Sequence, residues 1–225
     1  MKIVCIGGGP AGLYLSILMK GADPHHQVTV IERNRLQDTF GFGVVFSDAT
    51  EQGLAEADRP SHAALSAKLA RWGDIEIHFA GEVLWSSGHA FSGISRIALL
   101  QVLAERASAL GVDLRFSTEA GDLAKLSHAD LIVGADGWSS TVRAQLADHF
   151  QPTIEFRQNR FVWLGTTRRF PAFAFFFKQS PHGLWRAHAY QYQPGHSTFI
   201  VETTEACWRA SGLGEEDENA TVAYC

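Results

Sequence analysis

Hydrophobic and polar positions divide the chain into a front half of short apolar runs alternating with helical stretches, and a rear half of strands. Lys2 to Ile6 is an apolar run of strand length, broken at Gly7-Gly8-Gly9. A helix pattern starts near Ala11, carries Leu13, Leu15, Ile17 and Leu18, and stops at Gly21 and Pro24. Val28 to Ile31 is a second strand ending at Glu32. The spacing predicts helices over Asp48 to Ala57 and from Pro60 to about Arg71, then a hairpin from Asp74–Phe79 to Glu82–Trp85. Ser95 to Leu110 is the clearest long helix, with Ile97, Leu100, Leu103, Ala104, Ala107 and Leu110 as its stripe and Gly111 as its stop. Val112–Phe116 and Asp130–Val133 are further strands, with a short helical stretch at Asp122–Leu126 between them.

The rear half changes period. Phe161–Thr166, Ala172–Phe177, Leu184–Tyr192 and Ser197–Glu202 read as strands parted by Gly, Pro and Ser turns. By alternation, Phe173, Phe175 and Phe177 share one face of their strand, and Arg186, His188, Tyr190 and Tyr192 share one face of the next.

The opening stretch carries the first chemistry. Gly7, Gly9 and Gly12 fit G-x-G-x-x-G between strand and helix, and Glu32 follows the last glycine by 20 residues. The first glycine allows the tight turn, the second lets the backbone approach a pyrophosphate, and the third lets helix and strand pack closely. The pyrophosphate sits on the helix N-terminus, where N–H groups and the dipole favour negative charge. Glu32 accepts from a ribose 2′-hydroxyl and repels a 2′-phosphate, which points to FAD or NAD rather than NADP.

Composition excludes several classes. Hydrophobic residues make up 46% of the 225 and charged residues 19%, values of a globular protein with a substantial core. The first apolar run is too short for a signal peptide, and no stretch spans a bilayer. Cys5, Cys207 and Cys225 are few and far apart, and suggest neither a disulfide framework nor a metal site. The expected compartment is the cytoplasm. The net charge of −5 hides an asymmetry: residues 151–200 carry +5, from six basic residues against Glu155 alone. Such a segment meets an anionic ligand or forms a solvated strand face. No nucleic-acid motif accompanies it.

Three more stretches bear on the site. Residues 34–47 form a glycine- and aromatic-containing loop after Glu32, where Gly41 and Gly43 permit close backbone approach and Phe42 and Phe46 can cover a ring. Arg96 sits in the first turn of its helix, where a cation is unfavourable against the dipole, so a ligand role competes with that of a surface arginine. Gly134-Ala135-Asp136-Gly137 places a carboxylate on a turn beyond the carboxyl end of a strand, where open α/β sheets bind ligands. Ser139, Ser140 and Thr141 then cap the next helix, which holds Arg143.

Together GGGPAG with Glu32-Arg33, Arg96, and GADGWSSTVR at Gly134 to Arg143 resemble the flavin-dependent aromatic hydroxylases, the group A monooxygenases related to p-hydroxybenzoate hydroxylase. GFGVVFSDAT at Gly41 to Thr50, VWLGT at Val162 to Thr166 and HAYQY at His188 to Tyr192 resemble one branch. That branch holds the salicylyl-CoA 5-hydroxylases, the 2-aminobenzoyl-CoA monooxygenases and, more distantly, the tryptophan-derivative hydroxylase of violacein synthesis.

The resemblance implies an α/β fold: a Rossmann-like FAD domain over residues 1–150, with a hairpin insertion at about 72–92, and a mostly antiparallel β substrate domain over 151–205. Residues 206–225 then begin a helix cut partway. It implies FAD contacts from Gly7, Gly9, Pro10, Ala11 and Gly12, from Glu32 and Arg33, from Gly43 and Arg96, and from Asp136 and Gly137. His188 and Tyr190 are candidate contacts to a substrate hydroxyl or amine, competing with a reading of both as part of an exposed polar face. NADH or NADPH is the implied reductant, and O₂ the oxidant, acting through a flavin C4a-hydroperoxide on an aromatic ring. The ring is expected on a CoA thioester, for which the basic segment is a suitable partner. No metal and no protein nucleophile is needed. The family's third motif, a Gly-Asp after the substrate sheet, does not occur after residue 205, so the chain reads as the N-terminal part of a longer enzyme. A non-catalytic FAD-binding fragment and an NAD-dependent oxidoreductase are the competing readings.

Overall fold

The computed structural model describes residues 1–213 and 217–225. In chain order the first half runs β1 (Lys2–Ile6), α1 (Pro10–Ala22), β2 (Gln27–Ile31), β3 (Gly43–Ser47), α2 (Asp48–Ala57), α3 (Arg59–Ser66), β4 (Ala70–Phe79), β5 (Glu82–Ser95) and α4 (Arg96–Ala109). The second half runs β6 (Asp113–Arg115), β7 (Leu131–Gly134), α5 (Thr141–Gln145), α6 (Ala147–Phe150), β8 (Asn159–Thr166), β9 (Phe173–Ser180), β10 (Gly183–Gln193), β11 (His196–Thr204), α7 (Glu205–Ala210) and α8 (Glu218–Tyr224). A single 3₁₀ turn, Leu123–Leu126, lies between β6 and β7. The expected start of the last helix at Glu215 lies outside the described residues.

These elements form two units. The first comprises Met1–Phe40, Ala49–Ala67 and Arg96–Ile154. Its sheet is parallel, in the order β6-β2-β1-β7, with Ile3 opposite Val28, Cys5 opposite both Val30 and Val133, and Ile6 opposite Ile31 and Gly134. β1 is buried and apolar from Ile3 to Ile6, and β2 buries Val28, Val30 and Ile31, as a sheet covered on both faces requires. Leu13 and Ile17 on α1, and Leu99, Leu100, Leu103 and Ala107 on α4, are buried.

The second unit comprises Gly41–Asp48, Lys68–Ser95 and Glu155–Cys225. It holds one sheet of seven strands, β3-β5-β4-β9-β10-β11-β8, antiparallel throughout except where β4 runs parallel to β9. The hairpin expected as an insertion of the first domain forms β4 and β5 of this sheet, and part of the loop expected over 34–47 forms its edge strand β3. The helix expected to reach Arg71 ends at Ser66 instead, because Ala70 to Trp72 pair with Phe91 to Gly93 of β5. Alternation divides this sheet into two faces. Trp72, Tyr190 and Tyr192 are buried with Phe173 and Phe91 on one, while Trp185, Val201 and Cys207 are buried beneath Trp208 of α7 on the other.

Candidate active site

In the first unit, all four parallel strands end at one cleft of about 480 Å³. Its floor is the turn from β1 into α1. Gly7 has φ +111°, a conformation L side chains rarely adopt, and a Cβ there would lie 2.3 Å from the Ala135 carbonyl oxygen. A Cβ on Gly12 would come within 2.0 Å of the Gly7 oxygen, so only glycine lets α1 seat on the loop. Gly9 differs, since a Cβ there would meet nothing within 4 Å. The space next to it is open cleft.

Gly9 is also the N-cap of α1, extended at φ −72° and ψ −179°, and no side chain caps it. Pro10 follows at the first helical position, where its missing N–H costs nothing. Among the described residues the remaining first-turn amides have no side-chain acceptor, and the positive end of a 13-residue helix opens on the cleft.

Glu32 closes one side. Its Oε2 accepts from the Gly8 N–H at 2.7 Å and its Oε1 from the Asn34 N–H at 2.8 Å. Arg96 stands in the wall. Its Nε donates to Thr39 Oγ1 at 2.8 Å and its guanidinium lies 4.4 Å from the centre of the Phe40 ring. Burial pulls its pKa below the ordinary value, and among the described residues no carboxylate pairs with it. A half-buried cation without a counter-ion at the lip of a helix N-terminus fits an anion.

Asp136 plays a part the sequence did not suggest. Its Oδ1 accepts from Ser140 Oγ at 2.6 Å, and its Oδ2 from Thr141 N at 2.6 Å, Thr141 Oγ1 at 3.0 Å and Val142 N at 3.2 Å. Burial pushes this carboxyl upward, but the hydrogen bonds from Ser140, Val142 and Thr141 outweigh it and hold the pKa below the usual range. The side chain therefore builds the turn, and what it offers the cleft is the backbone of Gly137, at φ +82°, and the neighbouring Trp138.

Of the expected cofactor residues, Gly7, Gly9, Pro10, Ala11, Glu32, Arg33, Arg96, Asp136 and Gly137 line this cleft, with Gly12 buried beneath the turn. Gly43 belongs to the second unit, where its N–H donates to Thr198 Oγ1 at 3.1 Å. The loop expected beside the cofactor lines the cleft through Thr39 and Phe40, and sequence reasoning missed Phe116 and Thr118 to Gly121, which also line it. These were discoverable, since they follow the carboxyl end of a parallel strand.

The second unit carries the candidate substrate residues. The Tyr190 hydroxyl is buried and donates to the Gly43 carbonyl at 2.8 Å, and its ring stacks on Trp72 at 5.9 Å. His188 lies on the same face, 6.0 Å from Phe173 and 6.1 Å from Phe175 between ring centres. Burial lowers its pKa, partly opposed by Glu202, and its ring nitrogens have no hydrogen-bond partner among the described residues. Glu202 is in turn 3.3 Å from Arg186. This face is an aromatic floor holding one imidazole whose charged form burial disfavours.

No family model matches the chain. It is 44% identical to salicyloyl-CoA 5-hydroxylase of a Streptomyces species, over 96% of this chain and 42% of the relative. It is 31% identical to protodeoxyviolaceinate monooxygenase of Chromobacterium violaceum, over 100% of this chain and 61% of the relative. It is 32% identical to a 3-hydroxy-4-methyl-anthranilyl-(aryl-carrier protein) 5-monooxygenase of Streptosporangium sibiricum, over 92% of this chain and 58% of the relative. The chain thus spans roughly half the length of these relatives. Among solved structures, 2-methyl-3-hydroxypyridine-5-carboxylic acid oxygenase shares the fold at a TM-score of 0.77 and 19% identity, over 99% of this chain and 63% of that one. PqsL, described as a probable FAD-dependent monooxygenase from Pseudomonas aeruginosa, does so at 0.72 and 17%, over 100% and 65%. By sequence the chain is thus similar to part of three monooxygenases, and it shares the fold of these two solved oxygenases.

Proposed function

We propose that the first unit binds FAD and that the protein hydroxylates an aromatic ring carried as a CoA thioester, such as a salicylyl or 2-aminobenzoyl group. NADH or NADPH supplies the electrons and O₂ the oxygen. In balance, an aryl C–H, O₂, NAD(P)H and a proton give an aryl C–OH, water and NAD(P)⁺. The observation that carries the cofactor assignment is the uncapped N-terminus of α1 opening on the cleft, with Arg96 unpaired by any carboxylate of the described residues. When bound, FAD supplies the redox chemistry that couples NAD(P)H to O₂.

The protein groups bind, orient and move protons. First-turn amides of α1 and the Arg96 guanidinium hold the pyrophosphate, while the Gly9 position leaves room for its approach. Glu32 retains lone pairs beyond the two amides it serves and accepts from the adenosine ribose, with its charge opposing a 2′-phosphate. Arg33 and the backbone of Gly137 complete the cleft, and the Gly43 carbonyl accepts from the Tyr190 hydroxyl on the substrate sheet. On that sheet Phe173 and Phe175 bed the ring, and His188 Nδ1 or Nε2 accepts the proton of its hydroxyl. The compartment proposed is the cytoplasm. No helix of the described residues is long and apolar enough to cross a membrane.

The test is the visible spectrum of the purified chain, mixed with FAD and passed through gel filtration. A two-banded flavin spectrum travelling with the protein is expected, as is salicylyl-CoA-stimulated NAD(P)H oxidation by the full-length enzyme. A full-length enzyme that retains no flavin overturns the assignment.

A further inference from the structure

One edge of the second unit's sheet is only partly covered. β4 and β5 join through a tight turn in which Ala80 and Gly81 both have positive φ, 51° and 86°, so Phe79 faces Glu82 and the strands run antiparallel from there. On its other side β5 meets β3, but only from Phe91 to Ser95. Among the described residues no strand pairs with that side of Glu82–Ala90. Residues Glu82 to Gly88 are all exposed, and they include three large apolar side chains: Val83 at 46%, Leu84 at 53% and Trp85 at 56%.

Open strand edges template pairing with another chain, and folded proteins blunt them with lysine, proline or inward charges. The stretch Glu82–Ala90 has no Lys, Arg or Pro, and Glu82 is its one carboxylate. Its main-chain edge and its apolar side chains both suit an added strand.

Self-complementarity selects the occupant. Two copies of one strand pair antiparallel around a two-fold axis perpendicular to the sheet, which keeps each side chain on its own face. The axis then passes through a residue position, and three positions centre it on the apolar triplet. Centred on Val83, Glu82 stands opposite Leu84. Centred on Trp85, Leu84 stands opposite Ser86 and Val83 opposite Ser87. Centred on Leu84, Val83 stands opposite Trp85 on both sides of the axis, Leu84 opposite its own copy and Glu82 opposite Ser86, so every apolar side chain meets an apolar one. In that register the partner's turn at Ala80-Gly81 reaches Gly88 and Ser87, short of Phe91 where β3 begins. Val83, Leu84 and Trp85 expose roughly 300 Å² per chain, a patch of the size that marks an interaction site. With Glu82, Ser86 and the main-chain edge, two copies bury about 1,000 Å² together, the lower bound for a specific interface.

We propose that Glu82–Ser86 pairs antiparallel with the same segment of a second copy of this chain, about a two-fold axis at Leu84. An interface of this size gives a dissociation constant on the order of 10 μM.

Sedimentation velocity of the purified chain at about 1 and about 100 μM brackets that value and tests the dimer. The wild type is expected mostly monomeric at the lower concentration and mostly dimeric at the higher. Leu84→Lys sets two ammonium groups face to face on the axis and should leave a monomer at both. Oxidation in a Cys225→Ser background, which removes the exposed native thiol, reads the register. Directly opposite residues have Cα atoms about 4.5–5.5 Å apart, within disulfide reach, so Leu84→Cys should cross-link to its copy and Trp85→Cys should not. Leu84→Cys keeps a small apolar side chain, so its result stands even where Leu84→Lys fails to fold. A wild type that stays monomeric at about 100 μM overturns the proposal. So does a dimer that Leu84→Lys leaves intact, and so does cross-linking as strong through Trp85→Cys as through Leu84→Cys.

Discussion

The Glu32 carboxylate accepts the Gly8 N–H at 2.7 Å, so the end of β2 is tied directly to the loop that opens α1. The same side chain also holds Asn34 N–H at 2.8 Å. Glu32 thus organises the cleft before it meets any ribose. Glu32→Ala removes both acceptors and should cost about 1–2 kcal/mol of stability. Glu32→Gln should recover little, because its amide nitrogen is a donor turned toward a donor. Urea melts of the flavin-free protein check the first statement, and FAD titrations of both variants should show weakened binding. A Glu32→Gln protein as stable as wild type would show that the charge and second acceptor are dispensable.

Two glycines of one motif should fail in different ways. Gly12→Ala drives a methyl into the Gly7 carbonyl at 2.0 Å, and α1 cannot seat without moving backbone. A loss of several kcal/mol, or insolubility, is expected, as for an overpacked interior. Gly9→Ala meets no protein atom within 4 Å, so its melting temperature should stay near wild type or rise slightly. Its methyl occupies the space proposed for the pyrophosphate, and FAD retention should fall sharply. Thermal melts paired with flavin absorbance separate the two, and a Gly9→Ala protein with normal flavin content would remove the pyrophosphate from this position.

The same contrast explains what could be read from the sequence. The motif Gly7 to Glu32 was legible because strand, turn and helix are consecutive and each glycine answers a local steric demand. The role of Asp136 as the acceptor for Ser140, Thr141 and Val142 was not, since a carboxylate on a glycine turn looks the same whether it serves a ligand or its own helix. The length of β5 was hidden because Ser86 to Gly88 are exposed and show no apolar alternation. Phe40 and Phe116 reach the cleft only through chain reversals that no local period records. The aromatic face of β9 and β10 did follow from period-2 alternation, yet only the hydrogen bonds of Gly43 with Tyr190 and Thr198 showed that the tyrosine hydroxyl was already engaged.

Asp58 gives the first unit an acid-sensitive clamp. It caps α3 by accepting Ser61 N–H at 3.0 Å, and receives Arg106 of α4 through two nitrogens at 3.0 and 2.8 Å. The hydrogen bond from Arg106 is the main cause of a pKa below the ordinary 3.8, with burial opposing it. A depressed carboxylate contributes fully above the unfolded value and loses that contribution as pH falls through the folded one. Asp58→Ala should therefore cost about 2 kcal/mol at pH 7. The difference from wild type should shrink below about pH 4, since the unfolded carboxyl titrates there. Equal melts at pH 7 would refute the clamp.

Arg96 should behave oppositely in the absence and presence of ligand. Its guanidinium is desolvated and, among the described residues, lacks a carboxylate partner. Replacing a buried, uncompensated charge with an apolar chain of similar length is neutral or stabilising. Arg96→Met should thus leave the flavin-free protein as stable as wild type or more so, while FAD affinity falls about tenfold or more. A variant that loses stability without FAD and keeps its affinity would make Arg96 a structural residue.

His188 and Tyr190 share a face but should part in their pH dependence. The Tyr190 hydroxyl is spent on the Gly43 carbonyl, so Tyr190→Phe should cost about 1–2 kcal/mol of stability and leave the pH profile of ligand binding unmoved. For His188, burial holds the folded pKa below 6.5. The native state then binds fewer protons than the unfolded chain as pH falls through about 6.5, and stability declines across that window. Salicylyl-CoA binding should weaken over the same acidic range, because a protonated imidazole no longer accepts the hydroxyl proton. His188→Gln keeps a polar group of similar reach but does not titrate, so its binding should be flat from pH 5 to 8 and weaker than wild type at pH 7. Binding measured in parallel for the two variants decides the assignment. A pH profile altered by Tyr190→Phe and untouched by His188→Gln would transfer the proton-accepting role from the histidine to the tyrosine.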